Sequence, residues 1–171
     1  MQFTTSRRVR FADCDPAGIV FYPQYMVMLN TLVEEWFDEA LLIPYAQLIG
    51  ARQLGLPTVR LEVDFTAVSR HGDKLAQTLQ VHRLGRSSIV LQAEFWGAPA
   101  AEGAAAELRV RARQVLVCTS LRSHRPTALP DDVRAALLPY VETASVAPAG
   151  PSPTPSCVPS SALTSAQSST P

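Results

Sequence analysis

The sequence predicts an α+β fold in which an antiparallel sheet wraps around one long central helix. Two observations carry that prediction. A broad helical stripe of apolar residues runs from Tyr25 to Leu41, and several later segments alternate apolar and polar residues as strands do. The stripe includes the large aromatics Trp36 and Phe37, so it needs a wide cover, and a sheet is the natural one.

The elements follow in order. An opening strand is expected near Ser6 to Ala12. The helix comes next, with Tyr25, Met28, Leu29, Leu32, Val33, Trp36, Phe37, Ala40 and Leu41 at steps of three and four, closed by Pro44. Leu56 to Phe65 alternates Val59, Leu61, Val63 and Phe65 against Arg60, Glu62 and Asp64, which reads as a half-buried strand. Leu75 to Leu84 and the run through Ile89, Leu91, Ala93 and Phe95 are joined by a short turn at Gly85 and Arg86, and are read as a hairpin. Glu107 to Thr119 begins with Arg109, Arg111 and Arg113 on one face. Its alternation slips at Gln114 and Val115, suggesting a bulge or a strand buried on both sides. A short helix is expected over Asp131 to Val141.

With 171 residues, 47% hydrophobic and 18% charged, the chain suits one globular domain with its own core. That domain is placed at residues 1–142. From Thr143 to Pro171 the composition turns to Ser, Thr, Pro and Ala with no charge, and this segment is read as a disordered tail. Fifteen basic residues balance fifteen acidic ones, so neither nucleic acid nor an anionic membrane is an expected partner. A polar, basic start and no long apolar run point to a cytoplasmic protein, and the three cysteines, at no metal-binding spacing, are read as reduced thiols without a disulfide.

The stretch Arg10 to Tyr25 concentrates the chemistry. It sets Asp13 and Asp15 in a Pro/Gly turn just before the helix, where backbone N–H groups and the helix dipole favour negative charge. Asp15-Pro16 also has a plain structural explanation, Asp as N-cap and Pro as first helical residue. Gly18 allows close approach to the backbone. Such a sparse site suits thioester hydrolysis, because a thiol leaving group with a pKa of about 8.5 departs without a dedicated acid. Motifs of several other enzyme classes, Gly-x-Ser-x-Gly, HExxH, the Walker loop and GxGxxG, are absent from the sequence.

Asp13-Cys14-Asp15-Pro16-Ala17-Gly18-Ile19-Val20, followed by Tyr22-Pro23 and Tyr25, closely resembles the motif of the 4-hydroxybenzoyl-CoA thioesterases of the hotdog superfamily. The resemblance covers the element order through about Thr119 and is strongest over residues 10–37. It implies a hotdog fold, an acyl-CoA substrate, and Asp15 as nucleophile or general base, with Asp13 as its structural neighbour. It also implies that the backbone N–H of Tyr22 polarises the thioester carbonyl. Where hydroxybenzoyl-specific members carry an aspartate on the central helix, this chain has Asn30, and Met26 stands where a more polar residue is common. An aryl or short acyl-CoA therefore stays open as the substrate. Coenzyme A enters as part of the substrate, and no metal or redox cofactor is implied. Arg86, with Ser87 beside it, sits where related enzymes gather basic groups against the nucleotide; Arg83, Arg70 and His71 are weaker choices.

Other residues have simpler readings. Glu34 and Glu35 are reserves for a helix-borne catalytic carboxylate, although a solvated flank explains them as well. Cys14, extended between two aspartates, points away from both and has no adjacent His. Trp36 and Phe37 read as core, whereas Tyr22 and Tyr25 are pocket candidates. One subunit would leave a sheet edge bare, and hotdog sites lie between subunits, so a homodimer at least, and a tetramer by preference, is expected. The alternatives are an acyl-carrier-protein or short-chain acyl-CoA thioesterase of the same fold, and a non-catalytic acyl-CoA-binding module.

Overall fold

The computed structural model describes residues 1–98 and 105–142, so the tail read as disordered, Cys157 included, lies outside the described residues. Strand β1 is Phe3–Arg8, earlier than expected. The reason is local: Asp13 Oδ2 accepts the Arg10 N–H at 2.7 Å and closes a 3-10 turn over Phe11–Asp13, which takes the chain out of the sheet.

The central helix α1, Tyr22–Glu35, buries Tyr25, Met28, Leu29, Leu32 and Val33 and continues into a π-helical turn, Trp36–Ala40, that buries Trp36 and Phe37. This is the stripe read from the sequence. The helix stops before Pro44, because Leu41 N–H reaches back five residues to Trp36 O at 3.0 Å and Leu42 then takes φ +55°. Pro44 instead opens a short helix unforeseen in the sequence, α2 (Tyr45–Ile49), whose first N–H donates to Asp38 Oδ1 at 2.6 Å.

A two-residue strand β2, Leu54–Gly55, precedes β3 (Thr58–Phe65), β4 (Lys74–Leu84), β5 (Ser88–Gly97), β6 (Glu107–Val117) and a second short strand, β7 (Thr119–Ser120). The main sheet is antiparallel in the order β1-β4-β5-β6-β3, while β2 pairs with β7. The β4–β5 hairpin matches expectation, with Leu84 opposite Ile89. Helix α3, Asp131–Leu137, followed by a 3-10 turn to Tyr140, fills the predicted C-terminal position and buries Val133 and Leu137.

Leu75, Leu79 and Val81 of β4, Ile89, Leu91 and Phe95 of β5, and Val110 and Leu116 of β6 meet α1 in one core cluster. Each such side chain contributes about 1.5–3 kcal/mol by leaving water.

Two readings of the strands need correction. In β6 the alternation does not slip at Gln114: Val110, Ala112, Gln114 and Leu116 are all buried between more exposed neighbours, so Gln114 is a polar residue on the inner face. Near Gln114 the bulge lies in the neighbouring strand, where Val59 is the extra residue between Thr58 (opposite Leu116) and Arg60 (opposite Val115), and β6 itself is bulged only earlier, at Arg109 against β5. Strand β3 itself is not half-buried. It is a sheet edge, and Val59, Leu61 and Phe65 remain 61%, 37% and 51% exposed because α1 covers the middle of the sheet and leaves this margin bare.

Candidate active site

Asp15, Pro16, Ala17 and Gly18 form a tight hairpin turn. Gly18 N–H donates to Asp15 O at 2.9 Å, Asp15 N–H donates to Ile19 O at 2.9 Å, and Gly18 sits at φ +75°. Asp at the first position, Pro at the second and Gly at the fourth are what a type I turn closed by a glycine bulge requires. The turn is therefore not a helix cap: the N-cap is Phe21 and Pro23 lies in the first turn of α1. A Cβ added to Gly18 would meet nothing within 4 Å, so Gly18→Ala tests backbone strain alone. We expect it to destabilise the fold by about 1–2 kcal/mol, measured by chemical denaturation.

The Asp15 carboxylate is half-buried, and its Oδ1 accepts the Ala17 N–H at 2.8 Å. One carboxylate atom thus anchors the group within the turn. Asp13 is buried and spent on structure, accepting the Arg10 N–H with Arg7 Nη2 3.7 Å from its other oxygen. Burial, joined by the Asp13 and Asp15 charges, pushes the Cys14 thiol above its ordinary pKa, which disfavours a thiolate nucleophile there.

The N–H of Tyr22, the first residue of α1, has no acceptor among the described residues, and Pro23 after it has no N–H to offer. A single main-chain donor is thus open at the positive end of the helix. Beside it lies a cavity of ≈ 290 Å³ lined by Ile19, Tyr22, Tyr25, Phe65, Val68 and Ser69 among others. Asp15 is one backbone hydrogen bond from Ile19 and is not itself in that lining. Tyr25 is buried and donates its hydroxyl to Ser69 Oγ at 2.8 Å; burial raises its pKa despite that bond, so the phenol stays neutral. Sequence reasoning missed Ser69, a lone loop serine without a distinguishing pattern.

The other predicted residues lie elsewhere in the protomer. Asn30 lines a second cavity of ≈ 210 Å³ with Glu34, Tyr45, Thr58 and Gln114. Burial, with the Glu34 charge, raises the Tyr45 pKa. The two cavities sit at the Phe65 and Thr58 ends of β3 and share α1 as a wall, on which Tyr22 and Asn30 stand about 12 Å apart. Arg86 and Ser87 form the β4–β5 turn. The Asp15 hairpin instead meets the sheet through the Ile19–Arg70 bridge, near the far end of β5, whose 10 residues span about 30 Å. The exposed Arg86 makes no ion pair among the described residues, and its carbonyl accepts the Leu129 N–H at 3.0 Å. Glu35 is partly buried on α1, while Arg70, His71 and Arg83 are exposed. No group of three or more potential metal ligands occurs, and no helix is long and apolar enough to cross a membrane, among the described residues.

Comparison with known proteins places the chain by family and fold. Residues 9–137 match the profile of a family described as the Thioesterase-like superfamily. The chain is 27% identical over 135 residues to a 1,4-dihydroxy-2-naphthoyl-CoA hydrolase of Synechocystis, covering 79% of this chain and 94% of that one. It is 32% identical to a 4-hydroxybenzoyl-CoA thioesterase of Pseudomonas over 88 residues, which are 51% of this chain and 62% of that protein. Among solved structures, an aspartate-to-asparagine mutant of a 4-hydroxybenzoyl-CoA thioesterase complexed with 4-hydroxybenzoyl-CoA superposes with a TM-score of 0.71 at 27% identity, over 80% of this chain and 98% of that one. The fold these proteins share is the hotdog fold that the sequence motif implied.

Proposed function

The chain belongs to the Thioesterase-like superfamily, and from that premise we propose that it hydrolyses an aryl or short acyl-CoA thioester to the free acid and coenzyme A. The observation that carries this reading is the pairing of an unspent N–H at the start of α1, beside a cavity, with an anchored carboxylate one backbone hydrogen bond from Ile19 of that cavity's lining. The Tyr22 N–H would hold the carbonyl oxygen as it gains negative charge. Asp15 then acts in one of two ways. As nucleophile it forms a mixed anhydride and releases the thiolate of coenzyme A, and water hydrolyses the anhydride. As general base it takes a proton from the water that attacks directly. In either case the thiolate, with a pKa of about 8.5, leaves without a protein acid and is protonated by solvent. The chemistry draws on no cofactor beyond the coenzyme A of the substrate.

The separation of the Arg86 turn from the Asp15 turn, at opposite ends of β5, supports a shared site. Two copies paired antiparallel along their β3 edges would bring the Phe65 end of one against the Thr58 end of the other. Asp15 and Tyr22 of one protomer would then face Asn30 of its partner across the acyl group, with Arg86 available to the nucleotide phosphates. The apolar residues left bare on β3 favour that pairing. A dimer is thus the minimal assembly, and a tetramer is two such dimers.

The direct test is a hydrolysis screen against benzoyl-, hydroxybenzoyl-, acetyl- and hexanoyl-CoA, with liberated thiol as the readout. Turnover of an aryl thioester is expected, aliphatic turnover alone would favour the short-chain alternative, and tight binding of acyl-CoA without turnover would favour the binding module. Glu34, at the second cavity, supplies the second reading, catalysis by a helix carboxylate.

A further inference from the structure

Gln114 is a polar residue in an apolar position. It lies on the inner face of β6 between Ala112 and Leu116 and is only 2% exposed. Its Nε2 donates to Thr58 Oγ1 at 2.7 Å, and its Oε1 has no partner among the described residues. Turning the amide over does not help, because Thr58 would then donate to Oε1 and leave Nε2 stranded. A buried polar group left half paired is costly, and such groups ordinarily meet a partner. Trp36, Gln77 and Arg109 also hold unpaired buried nitrogens, but none of them lines the cavity that Gln114 lines. That cavity, shared with Asn30, Glu34, Tyr45 and Leu56, measures ≈ 210 Å³. A void of about 150 Å³ already admits benzene, so a single aromatic ring fits.

We infer that Gln114 is a specificity-determining residue: its unpaired amide atom, positioned by Thr58, hydrogen-bonds a neutral hydroxyl on the acyl group seated in this cavity. The inference rests on the thioesterase reading and deepens it. A hydroxyl both donates and accepts, so it satisfies either orientation of the amide. Asn30 adds a second uncharged amide, while Glu34 sets a carboxylate in the same cavity that disfavours an anionic acyl group.

The test compares kcat/KM for 4-hydroxybenzoyl-CoA and benzoyl-CoA in the full chain and in two variants. Gln114→Met keeps the length of the side chain and removes both polar atoms. Thr58→Val removes only the hydroxyl that positions them, on an exposed edge strand where folding is least at risk. The full chain should prefer the hydroxylated thioester. The ratio of the two constants should fall tenfold or more in Gln114→Met and by a smaller factor in Thr58→Val. Because it is a ratio, a loss of active protein does not move it. An unchanged ratio in both variants overturns the role of Gln114 and leaves the thioesterase reading standing. Failure of the full chain to cleave either aryl thioester overturns this inference, and the thioesterase reading falls with it only where acetyl- and hexanoyl-CoA are left intact as well.

Discussion

Asp15→Asn is expected to lower kcat on the preferred thioester by at least about a hundredfold, with thermal stability unchanged. Asparagine is the informative replacement because it keeps an oxygen that accepts the Ala17 N–H, the 2.8 Å bond that shapes the turn. The loop therefore retains its geometry, and only the charge and the basicity are lost. Asp15→Ala removes that anchor as well, so its effect mixes chemistry with loop disorder. KM should change much less than kcat, because Asp15 acts on the reacting carbonyl or its water and not on the coenzyme. Unchanged kcat would defeat the assignment and direct attention to Glu34. Single-turnover hydrolysis in labelled water separates the two roles of Asp15: direct attack by water puts one labelled oxygen into the product acid, whereas an anhydride opened by water at the aspartyl carbon leaves the label in Asp15 and none in the product.

The second large effect concerns assembly. Leu61→Lys should convert the protein to a monomer in sedimentation or light-scattering measurements, and activity should fall with it. Leu61 lies on the bare edge strand, opposite Gln114 of β6, and is 37% exposed. A lysine there is tolerated by an isolated protomer, since its charge reaches water, but it places charge in the strand pairing that the shared site requires. Loss of activity in a protein that keeps its subunit association would count against a site divided between protomers.

How much of this was legible beforehand differs element by element. The α1 stripe was, because a helix that covers a sheet must show its apolar face at three-and-four spacing, and Tyr25 through Phe37 do so. The β4–β5 hairpin was legible from its alternation and from Gly85. Strand β3 was misread for a physical reason: alternation records that an apolar face exists, not what covers it, and here the protomer does not. The apparent slip at Gln114 failed on the converse assumption, that a polar residue cannot face inward. The turn at Asp15 shows the same limit at the site. Asp-Pro-Ala-Gly encodes a hairpin turn as well as a helix start, and only the Asp15–Ile19 hydrogen bond decides between them. Nor can the sequence reveal that Arg86 stands far from Asp15, because that distance is a property of the sheet.

The turn that carries Arg86 and Ser87 has a consequence for recognition. Both of its carbonyls are tied to the C-terminal segment, Ser87 O by the Cys118 N–H at 2.7 Å and Arg86 O by the Leu129 N–H at 3.0 Å. Under the proposed function, a nucleotide arriving there meets a fixed mooring post with one long swinging arm. Capture then stills about 2 kcal/mol of arginine rotamer freedom and almost no main-chain motion. Cutting either mooring line should slow capture of the coenzyme while leaving the cleavage step, carried by Asp15 of the other protomer, intact.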